Sequence, residues 1–189
     1  IINNLKIKNT LIDFSVPSLM RYLEKSINLK KNYGQTIREA IQNKDSSLIK
    51  DPKYKYLKKI IDCSGTISSA KNNYKKAKFP KEINTFLQKF FKTLDYIKKN
   101  EKDISITVDI SEGNSFLNYQ NIGFKVYNKD NSNVIAIGGD YLLSNKEMGI
   151  GITLMINNIS DSFKYKEKEK VYVEYNVKDI YLSKLNRSN

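Results

Sequence analysis

Acidic side chains in the second half of the chain are the first residues whose type could support chemistry. A pair of carboxylates can act as general acid and general base, and a group of them can hold Mg²⁺. Their spacing here matches no recurring metal-binding loop, and acidic residues near strand ends are usually solvated. We therefore predict neither a catalytic residue nor a metal ligand among these four side chains, which are Asp109, Glu112, Asp140 and Glu147.

Two adjacent glycines in VIAIGGDYL, Gly138 and Gly139, raise the possibility of a phosphate-binding loop. Such a loop needs Gly-Lys-Ser/Thr at the start of a helix, or a third glycine at the spacing of a dinucleotide-binding fingerprint. Neither pattern is present, and nothing after the pair resembles a helix N-terminus that would hold phosphate. The pair predicts the end of a strand, with a sharp turn or a close approach of the backbone.

The chain has no histidine and one cysteine, Cys63. This composition excludes an intrachain disulfide, a Cys/His zinc site, and any Ser-His or Cys-His nucleophilic pair supplied by this chain. Cys63 lies in IIDCSG, where we predict a small core residue rather than a reactive thiol. No apolar run reaches the roughly 18–20 residues that a membrane helix needs. We expect a cytoplasmic protein with no cofactor, and the lack of an initiator Met leaves open that it is a piece of a longer chain.

The formal net charge of +13 favours an acidic partner such as nucleic acid. Only three of the 33 basic residues are arginines, Arg21, Arg38 and Arg187, although arginine has the planar geometry that reads phosphates and base edges. The lysines are scattered among many asparagines and isoleucines, which is typical of an AT-rich genome. We therefore expect no nucleic-acid partner, and a basic RNA-binding module remains an alternative.

The first hundred residues have the spacing of helices. Apolar residues recur every three or four positions in SVPSLMRYLEKSINL, GQTIREAIQNK, KYKYLKKIIDC and PKEINTFLQKFFKTLDYIKKN. The segment CSGTISSAKNNYKKAKFP, between the last two, is small and polar, which predicts a loop with at most a turn of structure. Region 1–100 is therefore predicted to be helical.

The residues after 100 change to the period of strands. DISITVDI alternates apolar and polar residues, the turn-rich KDNSN joins IGFKVYN to NVIAIGG, and KVYVEY follows later. MGIGITLMIN is nearly all apolar and is predicted to be a strand buried on both faces. NNISDSF predicts a short helix, and VKDIYLSKL a closing amphipathic segment. Helices followed by a mainly antiparallel sheet over 101–189 predict an α+β fold.

Three segments in order, VDISEGNSFLNYQNIGFKVYN, VIAIGGDYL and MGIGITLMINNI, resemble the last third of the catalytic core of class II histidyl-tRNA synthetases. In that family a strand ending in Asp leads to R-G-L-D-Y-Y-T-G, then to G-G-R-Y-D, and then to a final apolar strand and a helix that carries an arginine. The upstream stretch LIDFSVPSLMRYLEKSINLKKNYGQTIREAIQNKD looks closer to a paralogue, the regulatory subunit of the short-form ATP phosphoribosyltransferase. Its matching segment reads like G-D-V-G-L-F followed by two short helices. The positions that keep the order are Asp109, Phe116, Tyr119, Phe124, Gly138, Gly139, Tyr141 and Gly151.

The resemblance covers most of residues 5–160 and implies a partial class II aminoacyl-tRNA synthetase-like core. Region 1–100 resembles the insertion segment of that family, and 101–189 resembles the antiparallel sheet with its short helices. The two regions together are expected to form one domain.

The departures from the synthetase pattern fall on its arginines. Asn114, Asp140 and Asn158 stand at the three arginine positions. Arginines that hold a phosphate or carboxylate do so with paired donors, so Asn removes the charge and Asp reverses it. We therefore expect that no aminoacyl-adenylate is made and that the glycine pair persists for reasons of fold. The other altered motif positions are Leu117, Asn118, Gln120, Asn121 and Leu142.

The resemblance implies a regulatory subunit of ATP phosphoribosyltransferase, in histidine biosynthesis, with no catalysis of its own. Such a subunit assembles with the short catalytic subunit into a hetero-oligomer and helps to transmit allosteric inhibition by histidine. A fragment of a histidyl-tRNA synthetase is the alternative within the same fold. A half-sheet with an unpaired edge is also expected to self-associate or to pair with a missing segment.

The resemblance further implies a degenerate amino-acid pocket, with histidine as a candidate ligand. In it Tyr119 would pack against an imidazole and Glu112 would hold an ammonium group. The residues expected to line this pocket are Glu112, Tyr119, Gln120, Gly139 and Tyr141.

Overall fold

The computed structural model describes residues 7, 9–26, 31–101, 104–112 and 118–160. The described elements are one sheet and several α-helices, most of which come before the last four strands in the chain. None of the described helices is long and apolar enough to cross a membrane. In chain order the elements are β1 (Thr10–Ser15), α1 (Pro17–Ser26), α2 (Lys31–Gln42), α3 (Lys55–Asp62), β2 (Ser64–Thr66), α4 (Ile67–Lys76), α5 (Lys81–Asn100), β3 (Ser105–Asp109), β4 (Tyr119–Asn128), β5 (Val134–Leu142), β6 (Met148–Leu154) and α6 (Ile156–Ser160).

The described sheet has six strands in the order β2-β3-β1-β4-β5-β6. Only β1 and β3 pair in parallel, and the other neighbours are antiparallel, so the predicted α+β fold with a mainly antiparallel sheet is confirmed. Region 1–100 was predicted to be helical and contains α1 to α5, but it also contains β1, which was not predicted and occupies the middle of the sheet. The sequence TLIDFS alternates apolar and polar residues, and burial on the helical side selects the strand conformation for it.

The four long apolar periodicities predicted in the first hundred residues correspond to α1, α2, α3 and α5. The segment from Cys63 to Pro80, predicted to be a loop, instead contains β2 and the ten-residue helix α4. Thr66 begins α4 as its N-cap, because its Oγ1 accepts a hydrogen bond of 3.2 Å from the Ser69 amide. Ile67 and Ala70 then anchor the helix in the core.

The helices cover one face of the sheet. Phe14 of β1 and Val108 of β3 point toward them and pack with Leu87 and Leu94 of α5, both fully buried. Cys63 is also fully buried in this cluster, as predicted, and burial followed by the nearby Asp62 raises the pKa of its thiol to about 12. The thiol is therefore protonated and unreactive at neutral pH.

The last described strand, β6, differs from its prediction. It lies at the edge of the described sheet, with Ile150 83% exposed and Met148 51% exposed, so it is not buried on both faces. The run of apolar residues was typical of a central strand. Among the described residues, α1 packs on β4, and the exposure of Ile150 and Ile152 shows that this part of β6 is largely uncovered. The short helix predicted at NNISDSF is present as α6, whereas the strand predicted at KVYVEY and the segment VKDIYLSKL lie outside the described residues.

The glycine pair lies within β5 rather than at its end, at the closest approach of β5 to its neighbours. A Cβ on Gly138 would meet Phe124 Cζ and would lie 2.7 Å from the Gly151 carbonyl oxygen. A Cβ on Gly139 would meet the Ile122 carbonyl oxygen and would lie 2.7 Å from Cδ1 of Tyr119. Both distances are shorter than van der Waals contact allows, so neither position accepts a side chain without movement of the backbone or of an aromatic ring.

We predict that Gly139→Ala lowers the free energy of unfolding by about 1–3 kcal/mol, the usual cost of overpacking a well-packed site. The added methyl group meets a carbonyl oxygen, which belongs to the sheet and cannot swing aside. Urea unfolding followed by circular dichroism measures the loss. Gly149→Ala is the matched control, because its Cβ would meet the far end of the Tyr141 side chain at 2.9 Å, and that end can move. Equal losses in the two variants would contradict the prediction.

Candidate functional site

The sheet face opposite the helices carries polar side chains, and we call it the polar face. Strand alternation places Asp13 on it, because its neighbours Ile12 and Phe14 contact the helical core. Asp13 is aligned with Thr107 of β3 on one side and with Lys125 of β4 on the other. The residues on this face that the following paragraphs use are Asp13, Thr107, Asp109, Lys125, Tyr127, Tyr119, Gly139 and Tyr141.

Asp109 accepts several hydrogen bonds on the polar face. Its carboxylate accepts bonds of 2.6 Å from both Lys44 Nζ and Ser111 Oγ, and one of 3.3 Å from Ser64 Oγ. Burial alone would raise the pKa of Asp109, but the bonds from Lys44 and Ser111 outweigh it and hold the pKa below its usual value. Asp109 is therefore a carboxylate at neutral pH.

Lys44 reaches Asp109 from the end of α2. It has φ of 56°, and the Asp45 amide bonds the Ala40 carbonyl oxygen beneath it at 2.8 Å, which is a Schellman-type helix end. Glycine usually occupies this left-handed position. Here a lysine occupies it and extends its ammonium group to the polar face.

Asp13 differs from Asp109 in its surroundings. Thr107 Oγ1 donates a 2.5 Å hydrogen bond to Asp13, but burial dominates and raises the pKa of Asp13, with a further contribution from the charge of Asp109. Burial also raises the pKa of the Tyr127 hydroxyl, and the neighbouring charges of Asp13, Glu112 and Asp109 add to this effect. Three acidic side chains therefore lie near the Tyr127 phenol, and two of them, Asp109 and Glu112, are in ion pairs with Lys44 and Lys125.

Three of the five residues predicted to line a pocket are strand residues of the polar face, on β4 and β5. Tyr119 pairs with Tyr141 across β4 and β5, and the Tyr119 ring lies against Gly139. The Tyr141 ring lies in the same way against Gly149 and Gly151 of β6, where their absent Cβ atoms would stand 2.9 Å from it. The glycines thus allow two tyrosine rings to lie close to the sheet, as aromatic side chains do over glycine in strands.

Glu112 and Gln120 occupy different positions relative to this group. Glu112 follows β3, and its Oε2 lies 3.5 Å from Lys125 Nζ, which brings it to the polar face. Gln120 does not join them, because its side-chain and backbone oxygens both accept from Arg21 Nη2 of α1 at 3.3 Å. Gln120 is therefore directed toward the helices, and the ligand-binding role of the other four remains a prediction.

The residue at the second arginine position, Asp140, also faces the helices. Its Oδ1 accepts from the Asn121 amide at 2.7 Å and from the Ile122 amide at 2.8 Å, where β4 shifts register against β5. Asp140 lines a cavity of about 170 Å³ together with Val16 and Phe90. Position 140 was predicted to belong to the old nucleotide site, whereas its side chain lies on the side of the sheet away from the polar face.

The structure describes only one of the other two arginine positions, Asn158. Asn158 Nδ2 donates a 2.6 Å bond to the Val134 carbonyl oxygen, so it holds α6 against the start of β5. Asn114, like Leu117, lies outside the described residues. No three Cys, Asp or Glu side chains within the described ranges come close enough together to hold a metal ion.

Sequence reasoning missed several residues of the polar face. The alternation of TLIDFS would have placed Asp13 there, beside Thr107, if β1 had been recognised. Lys125 and Tyr127 are two positions apart in a predicted strand, which was a usable signal. Lys44 had no local signal, because its contact joins a helix end to a strand more than sixty positions later.

Comparison with known proteins gives a family match and a set of structural relatives. The model of the histidyl-tRNA synthetase family matches residues 1–159 of the 189. No curated protein sequence gave a significant match.

Several solved structures share the fold at low sequence identity. The ATP phosphoribosyl transferase (HisG:HisZ) complex from Thermotoga maritima has a TM-score of 0.57 and 17% identity, over 77% of this chain and 53% of that one. An ATP phosphoribosyltransferase regulatory subunit/histidyl-tRNA synthetase from Bacillus halodurans C has a TM-score of 0.64 and 13% identity, over 85% and 47%. The histidyl-tRNA synthetase from Nostoc sp. PCC 7120 has a TM-score of 0.59 and 13% identity, over 85% and 43%. The chain thus spans about half the length of these relatives.

We predict that Lys44→Met raises the pKa of Asp109 and lowers the free energy of unfolding at pH 7 by about 1 kcal/mol, a value limited by the solvent exposure of the lysine. Asp109 has a lowered pKa in the folded chain, so its contribution is present above the unfolded pKa of about 3.9 and is lost as the pH falls through the folded pKa. The difference between variant and wild type should therefore disappear in acid.

Urea unfolding at pH 7 and in acid, with an NMR titration of Asp109, measures both effects. Lys59→Met is the matched control, because its ion pair with Asp62 is 3.4 Å long and both side chains are about half exposed. The control should change stability by less than about 0.5 kcal/mol. An equal loss in both variants would show that Lys44 does not stabilise Asp109.

Proposed function

The chain belongs to the histidyl-tRNA synthetase family, and we propose that within it the chain is a non-catalytic regulatory subunit of ATP phosphoribosyltransferase. It assembles with the short catalytic subunit, in the cytoplasm, and carries feedback by histidine. The solved relatives that support this role are the HisG:HisZ complex and the regulatory subunit/synthetase from Bacillus halodurans C. The chain spans about half of those proteins. The choice between a regulatory role and a synthetase role for this chain therefore depends on the properties of its own polar face.

The observation that carries the proposal is the charge balance of the polar face. Two ammonium groups reach it, and each is already paired: Lys44 with Asp109, and Lys125 with Glu112. A third acidic side chain, Asp13, lies beside Lys125 in register, so two ammonium groups face three acidic side chains in this part of the described sheet. A triphosphate needs donors and positive charge, so this face repels ATP rather than binding it.

The residue at the last arginine position supports the same conclusion. Asn158 uses its amide group to bond a backbone carbonyl of β5. An uncharged side chain engaged in this way offers no bidentate contact to a phosphate. Aminoacyl-adenylate formation, which a synthetase must perform, is therefore absent from the proposed role.

The same charge balance favours the amino acid that the proposal needs. Histidine brings an ammonium group and an imidazole ring, and the polar face carries both carboxylates and the flat rings of Tyr119 and Tyr141. A cation near an aromatic face and a carboxylate is stabilised by both. Feedback requires that histidine binds one state of the assembly better than the other.

We predict that the chain co-purifies with the short catalytic subunit of its own organism and that histidine inhibits ATP phosphoribosyltransferase activity only in the complex. Size-exclusion chromatography of the mixed subunits, followed by activity assays with and without histidine, tests both parts. Histidine-dependent exchange of pyrophosphate into ATP by the chain would contradict the proposal, because it would identify an active synthetase.

We further predict that Glu112→Gln weakens inhibition by histidine about tenfold without preventing assembly, because one charge-assisted contact to an ammonium contributes roughly 1.5 kcal/mol or more. Titration of the purified complex with histidine gives the change in half-inhibitory concentration. Glu101→Gln removes one carboxylate at the exposed end of α5 and should leave inhibition unchanged. If histidine inhibits the complex of the Glu112→Gln variant as strongly as that of the wild type, Glu112 is not part of the histidine site. The proposed assembly would not be affected by that result.

A further inference from the structure

The cavity on the helical side of the sheet has a lining that the proposed function does not use. It lies between the start of α1, the middle of α5 and the part of β4 where Asp140 accepts from two backbone amides, and its volume is about 170 Å³. A cavity of roughly 150 Å³ holds a molecule of the size of benzene. This cavity is therefore large enough for a small organic molecule.

The walls of the cavity are mostly apolar. Val16 at the start of α1, Phe86 and Phe90 of α5, and Ile122 of β4 contribute them. Sites for small molecules have this composition, together with a few polar groups that fix the orientation of the ligand. A ligand of this cavity is therefore expected to have an apolar part that lies among these four residues.

Ser18, which also lines the cavity, has a polar group that the described part of the chain does not satisfy. Its Oγ is buried and has no hydrogen-bond partner among the described residues. Burying a hydroxyl group without a partner costs free energy, so each such group in a folded protein needs an explanation. A polar ligand in the cavity would supply the missing hydrogen bond.

The two charged residues of the lining, Lys89 and Asp140, have opposite signs. Lys89 is exposed and forms no ion pair within the described ranges. Asp140 Oδ2 accepts a 2.7 Å bond from Asn121 Nδ2, and a carboxylate oxygen can accept a second bond. A ligand with one carboxylate and one ammonium group pairs with both residues and leaves no charge in the cavity without a partner.

The start of α1 indicates which end of the cavity takes the carboxylate. The helix begins at Pro17, directly after Val16, whose apolar side chain offers no oxygen to the free amides of the first turn. A negative group is stabilised near this end of a helix. Ser18 lies in the same turn, so its hydroxyl group is placed to donate to that carboxylate.

We propose that this cavity binds a small apolar amino acid. The carboxylate of the ligand lies at Lys89 and Ser18, and its ammonium group lies at Asp140. Its side chain lies against Phe86 and Phe90. The cavity is on the side of the sheet away from the polar face, so this site is separate from the proposed histidine site, and a failure of either proposal leaves the other unaffected.

NMR titration of the ¹⁵N-labelled chain with L-valine tests the proposal. We expect saturable shifts of the Ser18, Asn121 and Ile122 amides, with a dissociation constant in the micromolar to millimolar range that is usual for a ligand of this size. Isobutylamine lacks the carboxylate of valine and 3-methylbutanoate lacks its ammonium group, so each should bind at least about tenfold more weakly. Equal binding of either analogue would contradict the proposal. If none of the three compounds shifts these amides, the cavity holds only water and the proposal is overturned.

Ser18→Ala and Lys89→Met should each raise the dissociation constant of L-valine about fivefold or more, because each removes one contact to the carboxylate. Ser18→Ala should not lower the free energy of unfolding, since its hydroxyl group has no described partner to lose. This result separates a group that binds a ligand from one that stabilises the fold.

Ser68→Ala and Lys92→Met are the matched controls. Ser68 is the second residue of α4, as Ser18 is of α1, and Lys92 is an exposed lysine of α5 outside the cavity. Both controls should leave the dissociation constant within about twofold of the wild type, as surface substitutions usually have small effects. Binding that is unchanged in either test variant, or weakened equally in its control, would overturn the proposal.

Discussion

The close approach of β4, β5 and β6 at the paired glycines is the constraint on which both sides of the sheet depend. Gly138 leaves room for Phe124, which packs into the helical core against Phe14. Gly139 leaves room for Tyr119 on the polar face. Because neighbouring residues of a strand point to opposite faces, two adjacent glycines are needed to seat one aromatic ring on each side. The packing of the core and the packing of the candidate site thus both depend on the backbone at Gly138 and Gly139.

The helices and most strands were predictable because their signals are local. The repeat in PKEINTFLQKFFKTLDYIKKN defines α5, whose apolar face is the one buried in the structure. The alternation in TLIDFS was equally local but short, and its position among helical segments concealed β1. The error at β6 has a different cause. An apolar strand looks the same in sequence whether helices cover it or not, and only the extent of the helical layer decides its burial.

The candidate site was predictable in part. Strand alternation relates Tyr119, Gly139 and Tyr141 once the pairing of β4 with β5 is known, and the pairing follows from the hairpin. Gln120 departs from this logic because β4 shifts register beside it and Arg21 draws its side chain to α1. Lys44 could not be predicted for another reason. It extends from the end of a helix, and strand alternation gives no information about such a residue. Long-range contacts of this kind have no counterpart in local sequence.

The geometry around the glycines gives Asp140, one of the altered motif residues, a structural role. Between the Tyr119–Tyr141 pair and the Gly123–Gly139 pair, β4 has three residues where β5 has only Asp140. The register shift leaves two amides of β4 without a strand partner, and the Asp140 carboxylate accepts from both of them. An aspartate at this position therefore stabilises the bulge from the helical side of the sheet, and its carboxylate lies on the side away from the polar face. The proposed loss of nucleotide binding therefore depends on residues that reach the polar face, where Lys44 and Lys125 are paired with carboxylates, and not on the charge reversal at position 140.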